Sequence, residues 1–256
     1  MSTRLDEKVF HKAADLMREA RHAIALTGAG SSTPSGIPDF RTAESGLWTR
    51  FQPMEVASLS AFRRQPEDFF EWLRPLACKM RSAQPNPAHL ALADLEQRGH
   101  IQAIITQNFD GLHQRAGSKQ VIEVHGSMKS MTCIGCYRQY EAEDLIEGYI
   151  DEGTIPRCKA CNKILKPDVV LFEEQLPATT WVEARQQASA CDLMIVAGSS
   201  LVVMPVAGLP MTALKSEAQV IVINKSSTYI DDRAAAVLTG DVADIIPALR
   251  AEIFND

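Results

Sequence analysis

Short, uninterrupted apolar runs recur along the chain and constrain its fold more than any other feature. These runs lie at 22–27, 101–106, 121–124, 168–172, 193–197 and 220–224. Between them, longer segments place apolar residues at helical spacing, at 86–98, 177–190 and 244–254. Such alternation predicts an α/β fold: a parallel sheet with helices on both faces, because parallel strands need a crossover between them. Strands that are apolar throughout fit burial on both faces.

Two segments interrupt this pattern. Residues 48–80 are rich in Phe, Trp and Arg and look helical, whereas residues 128–165 hold four cysteines and many charges. We predict that both are insertions that together form a smaller second lobe. The predicted large domain comprises 1–47, 81–127 and 166–256, and the predicted small helical and metal-binding domain comprises 48–80 and 128–165.

The charge balance excludes one large class of partners. The 26 Lys and Arg against 32 Asp and Glu give a net charge of −6, and a dedicated nucleic-acid-binding domain is normally basic. Residues 193–214 carry no charge over the length of a membrane span, but interspersed Gly, Pro and Ser favour a buried strand followed by a turn. The first residues lack the apolar core of a secretory signal. We therefore expect a soluble, cytoplasmic protein without membrane contact.

Four of the six cysteines form two pairs, each with two intervening residues: Cys133, Cys136, Cys158 and Cys161. Two CxxC turns at this separation are typical of a tetrahedral zinc site with four thiolate ligands. Such a closed shell leaves no position for water, so the zinc is expected to be structural. Two disulfides or an iron–sulfur cluster remain alternatives. The other two, Cys78 and Cys191, are expected to be ordinary buried thiols.

A glycine loop, Gly28-Ala29-Gly30, follows the first predicted strand. This arrangement suggests backbone amides close to a phosphate, although a plain tight turn explains the loop almost as well. Thr33 takes the place of a third glycine, and no acidic residue ends an obvious second strand. The loop therefore disfavours a dehydrogenase of the usual dinucleotide-binding type.

Further motifs occur in a fixed order along the chain: GAGSSTPSGIPDFR from Gly28, TQNFD from Thr106, VHG from Val124, the paired CxxC, GSSL from Gly198 and VIN from Val222. Together they resemble the sirtuins, the NAD-dependent protein lysine deacylases, over nearly the whole chain. The layout is most similar to the bacterial and archaeal deacetylase-type members. The resemblance implies a Rossmann-like large domain, a small zinc-bearing domain, and NAD⁺ meeting an acyl-lysine peptide in the cleft.

The resemblance also implies roles for individual residues. The pyrophosphate side is lined by Gly28, Ala29, Gly30 and Thr33. The nicotinamide end is closed by Phe40 and Arg41. Nicotinamide and its ribose are held by Gln107, Asn108, Phe109 and Asp110. The phosphate and the adenosine ribose contact Gly198, Ser199, Ser200 and Asn224, and the adenine contacts Asp241 and Val242. The acyl-lysine stem lies among Val170, Phe172 and Val203, with the peptide backbone near Glu173.

His125 is the expected general base. Nicotinamide leaves ribose C1′ as a neutral pyridine, so an acyl oxygen held in line attacks with little acid assistance, and a base must then deprotonate a ribose hydroxyl. Histidine titrates near neutral pH and suits that task. Alone, a histidine in a VHG turn is more often structural, and we expect that role for His89 and His113. Within the resemblance, Asn108, Asp110 and Arg41 join His125 as catalytic residues.

Two residues depart from the family pattern. Phe109 stands where isoleucine is usual, which changes packing but not a backbone hydrogen bond. Glu173 stands where glycine is usual, and we hypothesise that Glu173 and Glu174 favour substrates with basic flanks. The Tyr-x-x-Arg that grips a succinyl carboxylate in desuccinylases is missing from 69–76, although Arg74 lies there. We therefore expect acetyl or other neutral acyl groups.

Two other functions remain open at this point. The same NAD⁺ chemistry with a protein nucleophile would give mono-ADP-ribosyl transfer. A non-enzymatic NAD-sensing or zinc-dependent interaction module is the alternative of a different class, and the retained His125, Asn108, Asp110 and Arg41 argue against it.

Overall fold

The computed structural model describes residues 6–39 and 51–255. The chain divides into two compact units. The larger unit comprises Met1–Ser35, Gln84–Val124 and Ala178–Asp256, and the smaller unit comprises Gly36–Ala83 and His125–Pro177. None of the described helices has both the length and the apolar character needed to cross a membrane.

Among the described residues, the larger unit contains a sheet of six strands. Numbered along the chain, they are β1 Ala23–Thr27, β2 Ala103–Thr106, β3 Val121–Glu123, β7 Leu193–Ala197, β8 Gln219–Asn224 and β9 Ala236–Thr239. Their spatial order is β3-β2-β1-β7-β8-β9, and every neighbouring pair is parallel. This is the strand order of the Rossmann fold, which confirms the predicted fold class. The order reverses between β1 and β7, the point where such sheets bind ligands at the carboxyl ends of their strands.

Helices cover both faces of this sheet. They are α1 Glu7–Glu19, α5 Pro87–Gln97, α6 Leu112–Ala116, α8 Ala178–Ala190, α9 Leu209–Lys215 and α10 Val242–Phe254. Helices α1, α5 and α10 pack on alternate strand residues such as Ala25 and Ile195, whereas α8 packs against α9. All residues of β1 and β7 are consequently buried. The apolar strand pattern therefore reflects double-sided coverage, as predicted.

The smaller unit combines helices with a second sheet. Its elements are α2 Pro53–Val56, α3 Leu59–Arg64, α4 Pro66–Ser82, β4 Gly126–Cys133, β5 Gln139–Glu141, α7 Glu143–Glu152 and β6 Leu165–Val169. The strands pair antiparallel in the order β5-β4-β6. Four aromatic residues of this unit are fully buried: Phe62, Phe69, Phe70 and Tyr149. Three pairs of these rings meet edge-on, with centroid distances of 5.0–5.4 Å. These rings form the core between α3, α4 and α7.

The predicted strand 168–172 was wrong in position and in sheet. The strand is β6, which begins at Leu165 and pairs antiparallel with β4. Its buried residues alternate with partly exposed ones, a pattern typical of a strand with one covered face. Strand β9, which has four residues and lies at the edge of the parallel sheet, was not predicted.

Candidate functional site

Two glycine loops pack against each other at the reversal point of the parallel sheet. The loop after β1 carries Gly28 and Gly30, and the loop after β7 begins with Gly198. A Cβ on Gly30 would lie 2.8 Å from the carbonyl oxygen of Gly198, and a Cβ on Gly198 would collide with the backbone of Ser31. The Gly30 N–H donates to the Gly198 carbonyl at 2.8 Å. The glycines therefore serve first to let the two backbones touch.

A polar network joins the β1 loop to the segment after β2. Within it, Asn108 donates its side-chain amide to Gly28 O at 3.0 Å, Ser31 Oγ at 3.2 Å and Ser32 Oγ at 3.0 Å. The Ser32 hydroxyl donates to an Asp110 carboxylate oxygen at 2.6 Å. The other Asp110 oxygen accepts from the Leu112 N–H at 2.9 Å. Ser32 thus joins the predicted residues Asn108 and Asp110, and Ser31 contacts Asn108 alone. Neither serine was predicted as a site residue.

A second group of polar contacts fixes the loop after β7. The Gln107 amide donates to Ser199 Oγ at 2.7 Å. The Asn224 side chain accepts from Ser199 N at 3.0 Å and donates to Ser199 O at 2.7 Å. Gln107, Ser199 and Asn224 come from the ends of β2, β7 and β8. Most of the predicted nucleotide-binding residues are therefore gathered at the carboxyl edge of one sheet.

Other predicted cofactor residues have definite places. Thr33 donates its hydroxyl to Gly30 O at 3.1 Å, and Ser200 is exposed next to buried Ser199. Asp241 caps α10 through Ala243 N at 2.9 Å and pairs with Lys225 at 2.7 Å. Three more are buried or half-buried in the larger unit: Ala29, Phe109 and Val242. Val203, which was predicted to contact the acyl-lysine stem, is half-buried in the same unit. Phe40 and Arg41 lie outside the described residues.

His89 and His113 are buried near this network. The two rings meet edge-on at 4.8 Å, His113 Nε2 lies 2.9 Å from Thr27 Oγ1, and His89 Nδ1 accepts from Asn86 N at 3.3 Å. Burial lowers the pKa of His89 to about 4 and that of His113 to about 3, in the latter case helped by the neighbouring His89. Both are therefore neutral at physiological pH. They have the packing of structural residues, which is the role expected from the sequence.

In the smaller unit, His125 lies where β4 begins beside β6. Its carbonyl accepts from Val170 N at 2.8 Å, next to the register pair Gly126 and Val169. The expected general base and Val170, predicted to contact the acyl-lysine stem, are thus neighbours on adjacent strands. Gly126 has φ 74°, and a Cβ there would collide with the carbonyl of Asp168. Only glycine fits this close approach.

Contacts within the protein engage both Glu173 and Glu174, the residues hypothesised to favour substrates with basic flanks. Glu173 adopts φ 73°, a left-handed conformation that explains why glycine is usual there. Its carboxylate accepts from Ser60 N at 2.9 Å and Ser60 Oγ at 3.0 Å. These hydrogen bonds hold the pKa of the Glu173 carboxyl below its usual value. Glu174 pairs with Lys166 at 2.9 Å, so the two negative charges are not both free for a substrate.

Arg74 is half-buried and committed to α7. Its guanidinium donates twice to Ile150 O and once to Asp151 O, each at 3.0 Å. These carbonyls belong to the last turn of the helix and have no donor within it. Arg74, the arginine in the segment where desuccinylases carry their carboxylate-binding motif, is therefore occupied by main-chain carbonyls of α7.

The four CxxC sulfurs lie within 4.8 Å of one another. Two of the sulfur pairs, Cys133 with Cys161 and Cys136 with Cys158, are 3.4 and 3.6 Å apart. Tetrahedral zinc with bonds of about 2.3 Å separates its sulfurs by about 3.8 Å, so the four thiols fit that ion. All six cysteines are free, and the predicted alternative of two disulfides therefore does not apply to the structure.

The two CxxC turns share one backbone geometry. Cys133 N donates to Arg138 O at 2.9 Å, and Cys158 N donates to Lys163 O at 2.8 Å. The residue after the second cysteine has φ 59° in both turns. Tyr140, which was not among the predicted site residues, places its hydroxyl 3.1 Å from Cys158 Sγ. This hydrogen bond, together with backbone N–H groups of the turn, lowers the pKa of the Cys158 thiol to about 6. The thiolate of Cys158 is thus favoured, whereas hydrogen bonds among the cysteines raise the pKa of Cys161.

The remaining cysteines differ from each other. Cys191 is buried, and burial raises the pKa of its thiol to about 11. Cys78 is only half-buried. It faces a shallow groove between α4 and α7, where Phe70 and Tyr149 also lie. The prediction of a buried thiol is therefore confirmed for Cys191 and wrong for Cys78.

Fold and site together define a doubly wound α/β protein with two packed glycine loops at the switch point of its sheet and, in a second unit, four cysteines that fit a metal ion. Comparison with known proteins gives the family. Residues 28–205 match the Sir2 family. The chain belongs to the Sir2 family, the sirtuins, as its motifs predicted.

Relatives align over almost the full chain. The chain is 44% identical over 248 residues to the NAD-dependent protein deacylase 2 of Archaeoglobus fulgidus, covering 96% of this chain and 97% of the relative. It is 42% identical over 238 residues to the NAD-dependent protein deacetylase of Thermotoga maritima, covering 93% and 96%. A Sir2 structure with a deacetylated p53 peptide and 3′-O-acetyl ADP-ribose superposes with a TM-score of 0.89 at 40% identity, covering 95% of this chain and 97% of that one.

Proposed function

We propose that this protein removes acetyl and other neutral acyl groups from lysine side chains of proteins. NAD⁺ is the cosubstrate, and the products are nicotinamide, O-acyl-ADP-ribose and free lysine. One observation carries the proposal: in a chain of this family, the network of Asn108, Ser31, Ser32 and Asp110 is intact at the reversal point of the sheet. Relatives named NAD-dependent deacylase and deacetylase support it.

The residues present fit NAD⁺. At Gly28 and Gly30 a side chain would fill the space where the two loops meet, and hydroxyl, amide and carboxylate groups surround that point. Such groups recognise ribose hydroxyls and a carboxamide. We assign nicotinamide and its ribose to Gln107, Asn108, Phe109 and Asp110, and the remaining cofactor contacts to Ala29, Thr33, Phe40, Arg41, Gly198, Ser199, Ser200, Asn224, Asp241 and Val242.

His125 is assigned the proton transfer. The reaction requires a base that deprotonates a ribose hydroxyl once the acyl oxygen has bonded to C1′, and histidine is suited to accept that proton near neutral pH. Backbone pairing to Val170 at 2.8 Å fixes the position of His125. A positioned base of this kind contributes about 10²- to 10⁴-fold to the rate.

Val170, Phe172 and Val203 are assigned to the acyl-lysine stem. Their side chains are apolar and suit a methylene chain and a neutral acyl group, whereas a carboxylate would require a cation that compensates its charge. The one arginine considered for that purpose, Arg74, is hydrogen-bonded to the end of α7. We therefore propose a preference for acetyl over succinyl.

The test uses the full-length protein, NAD⁺ and an acetyl-lysine peptide. Nicotinamide together with O-acetyl-ADP-ribose supports deacylation, ADP-ribosylated protein supports the transferase alternative, and no product supports a non-enzymatic sensor. His125→Ala should lower product formation about 10²-fold or more. The matched control is His11→Ala, which removes an exposed histidine on α1 and should retain the activity.

The proposal also includes a structural zinc ion and a cytoplasmic location. The cysteines at 133, 136, 158 and 161 would hold one structural Zn²⁺, which supplies folding free energy and takes no part in the chemistry. Cysteines that are not joined in disulfides are typical of a reducing compartment and support the prediction of a cytoplasmic location. Cell fractionation with an antibody against the protein would test that location.

A further inference from the structure

The segment that contains Glu173 is already paired along one side. Phe172 N donates to Ala57 O at 2.9 Å, and Leu59 N donates to Phe172 O at 3.0 Å. Ser58 and Phe172 thus form an isolated parallel bridge. Both backbone polar groups of Phe172 are used by residues 57–59 of the same unit.

Glu173 lies in the turn that follows this bridge. Glu174 N donates to Leu171 O at 3.1 Å, so Phe172 and Glu173 occupy the two central positions of the turn. Within the described part of the chain, the N–H and C=O of Glu173 make no hydrogen bond to protein, and the residue is exposed. These two groups are therefore available to the backbone of an extended peptide.

The Glu173 side chain holds this arrangement in place. The residue has a backbone φ of 73°. A residue other than glycine adopts such an angle only when its surroundings compensate for the strain. The compensation is visible: one carboxylate oxygen accepts from Ser60 N at 2.9 Å and the other from Ser60 Oγ at 3.0 Å. Both donors lie in the first turn of α3, so the side chain ties the segment to that helix.

We propose that Glu173 is a positioning residue for the acyl-lysine peptide. Its carboxylate fastens the segment to Ser60 and so presents the Glu173 N–H and C=O to the backbone of the substrate. The inference rests on the proposed function and gives Glu173 a role that does not depend on its charge. It therefore differs from the expectation that Glu173 selects basic flanks.

Two substitutions separate anchoring from charge. Glu173→Ala removes both hydrogen bonds, and we expect the KM for an acetyl-lysine peptide to rise about tenfold, because the segment must then be ordered during binding. The KM for NAD⁺ and kcat should stay within about twofold, since the anchor touches only the peptide segment. Glu173→Gln removes the charge but keeps an acceptor for Ser60 N–H and a donor for the hydroxyl. It should therefore behave like the wild type, on peptides with basic and with acidic flanks.

Ser60 provides an independent check. Ser60→Ala removes the hydroxyl but leaves the backbone N–H, so the peptide KM should rise less than with Glu173→Ala. The double variant should be no worse than Glu173→Ala alone, because both changes break one contact. Glu183→Ala and Glu183→Gln, on the exposed surface of α8, are the matched controls and should leave all three kinetic parameters unchanged.

Hydrogen exchange of the protein without ligands reports the anchor separately from activity. In Glu173→Ala the amides of residues 58–60 and 172–174 should exchange faster, with an unchanged thermal midpoint of the larger unit. They should not do so in Glu173→Gln. Unchanged exchange and peptide KM in Glu173→Ala would overturn the proposal, as would an equal loss in Glu173→Gln. Wild-type protein that lacks deacylase activity would overturn the proposed function, while the exchange difference still decides whether Glu173 anchors the segment.

Discussion

At the scale of single residues, substitution of Gly126 tests how closely the strands of the smaller unit pack. This glycine follows His125, has φ 74°, and would direct a Cβ into the carbonyl of Asp168. We predict that Gly126→Ala lowers the free energy of unfolding by at least about 2 kcal/mol, from left-handed strain and overpacking together. Deacylation should fall as well, because the displaced strand carries His125. Denaturant unfolding and product formation measure the two effects.

Gly148 is the control for that substitution. It lies within α7, and a Cβ there meets no atom within 4 Å. Gly148→Ala should therefore raise the free energy of unfolding by about 0.5–1 kcal/mol, since alanine loses less entropy than glycine in a helix. Equal unfolding midpoints for Gly126→Ala and Gly148→Ala would show that the steric argument is wrong.

Site residues could be predicted where they belong to a recognisable sequence motif. They could not be predicted where only a contact in the folded protein identifies them. Asn108 and Asp110 were found because they stand in a recognisable string. Ser31 and Ser32 stand in the same glycine loop, but nothing local shows that both face Asn108 from 77 and 76 positions away. Ser60 and Glu173 are separated by 113 positions, so their contact depends on the folded unit. Spatial pairs of this kind need the structure.

At the scale of elements, Arg74 joins two helices of the smaller unit. It bonds to the carbonyls of Ile150 and Asp151 at the end of α7. Arg74→Lys keeps the charge but loses the planar fork, and we predict a loss of about 1–2 kcal/mol in the free energy of unfolding. The ratio of acetyl-peptide to succinyl-peptide rates should not change, because Arg74 is not available to a substrate. Thermal or denaturant unfolding and paired rate measurements test both statements.

Arg81→Lys is the matched control on the same helix. The Arg81 guanidinium pairs with Asp151 at 2.7 Å, but both side chains are exposed, and exposed pairs contribute about 0–1 kcal/mol. Its unfolding free energy should therefore stay close to that of the wild type. A shift of the rates toward the succinyl peptide in Arg74→Lys would mean that Arg74 contacts substrate after all.

Elements were predictable in proportion to the length and clarity of their pattern. The strands at 193–197 and 219–224 are apolar and doubly covered, and they were found within one residue of their bounds. The edge strand β9 has only four residues and is partly exposed, so its pattern is too short to notice. Strand β6 carries Lys166, Pro167 and Asp168, and its alternation was hidden beside the more apolar run that follows.

At the scale of the whole molecule, the buried histidines make stability depend on pH. Burial holds the pKa of His89 at about 4 and that of His113 at about 3, whereas in the unfolded chain a histidine titrates at about 6.5. As the pH falls below about 6.5, the unfolded chain binds protons that the folded protein does not. The free energy of unfolding should therefore fall between about pH 6.5 and pH 4, and denaturant unfolding across that range measures it.

His113→Gln separates this effect from the titration of carboxylates. Removal of one such histidine should reduce the slope of the unfolding free energy against pH by up to about 1.4 kcal/mol per pH unit in that range. Ile253→Val, a change of one buried methylene in α10, lowers stability by about 1 kcal/mol without removing a titrating group. Its curve should run parallel to that of the wild type. A parallel curve for His113→Gln would contradict the prediction.

The proposed zinc site is connected to the expected general base by one strand, because β4 runs from Gly126, beside His125, to Cys133, a proposed zinc ligand. Metal binding free energy contributes directly to folding. We therefore predict one zinc per chain, and its loss in Cys161→Ser together with faster hydrogen exchange in β4 and β6 and loss of deacylation. Cys78→Ser, a half-buried thiol outside the cluster, should keep the zinc and the exchange pattern. Atomic absorption and hydrogen exchange decide the point, and a metal-free Cys161→Ser protein with unchanged exchange and activity would show that the ion does not hold this unit together.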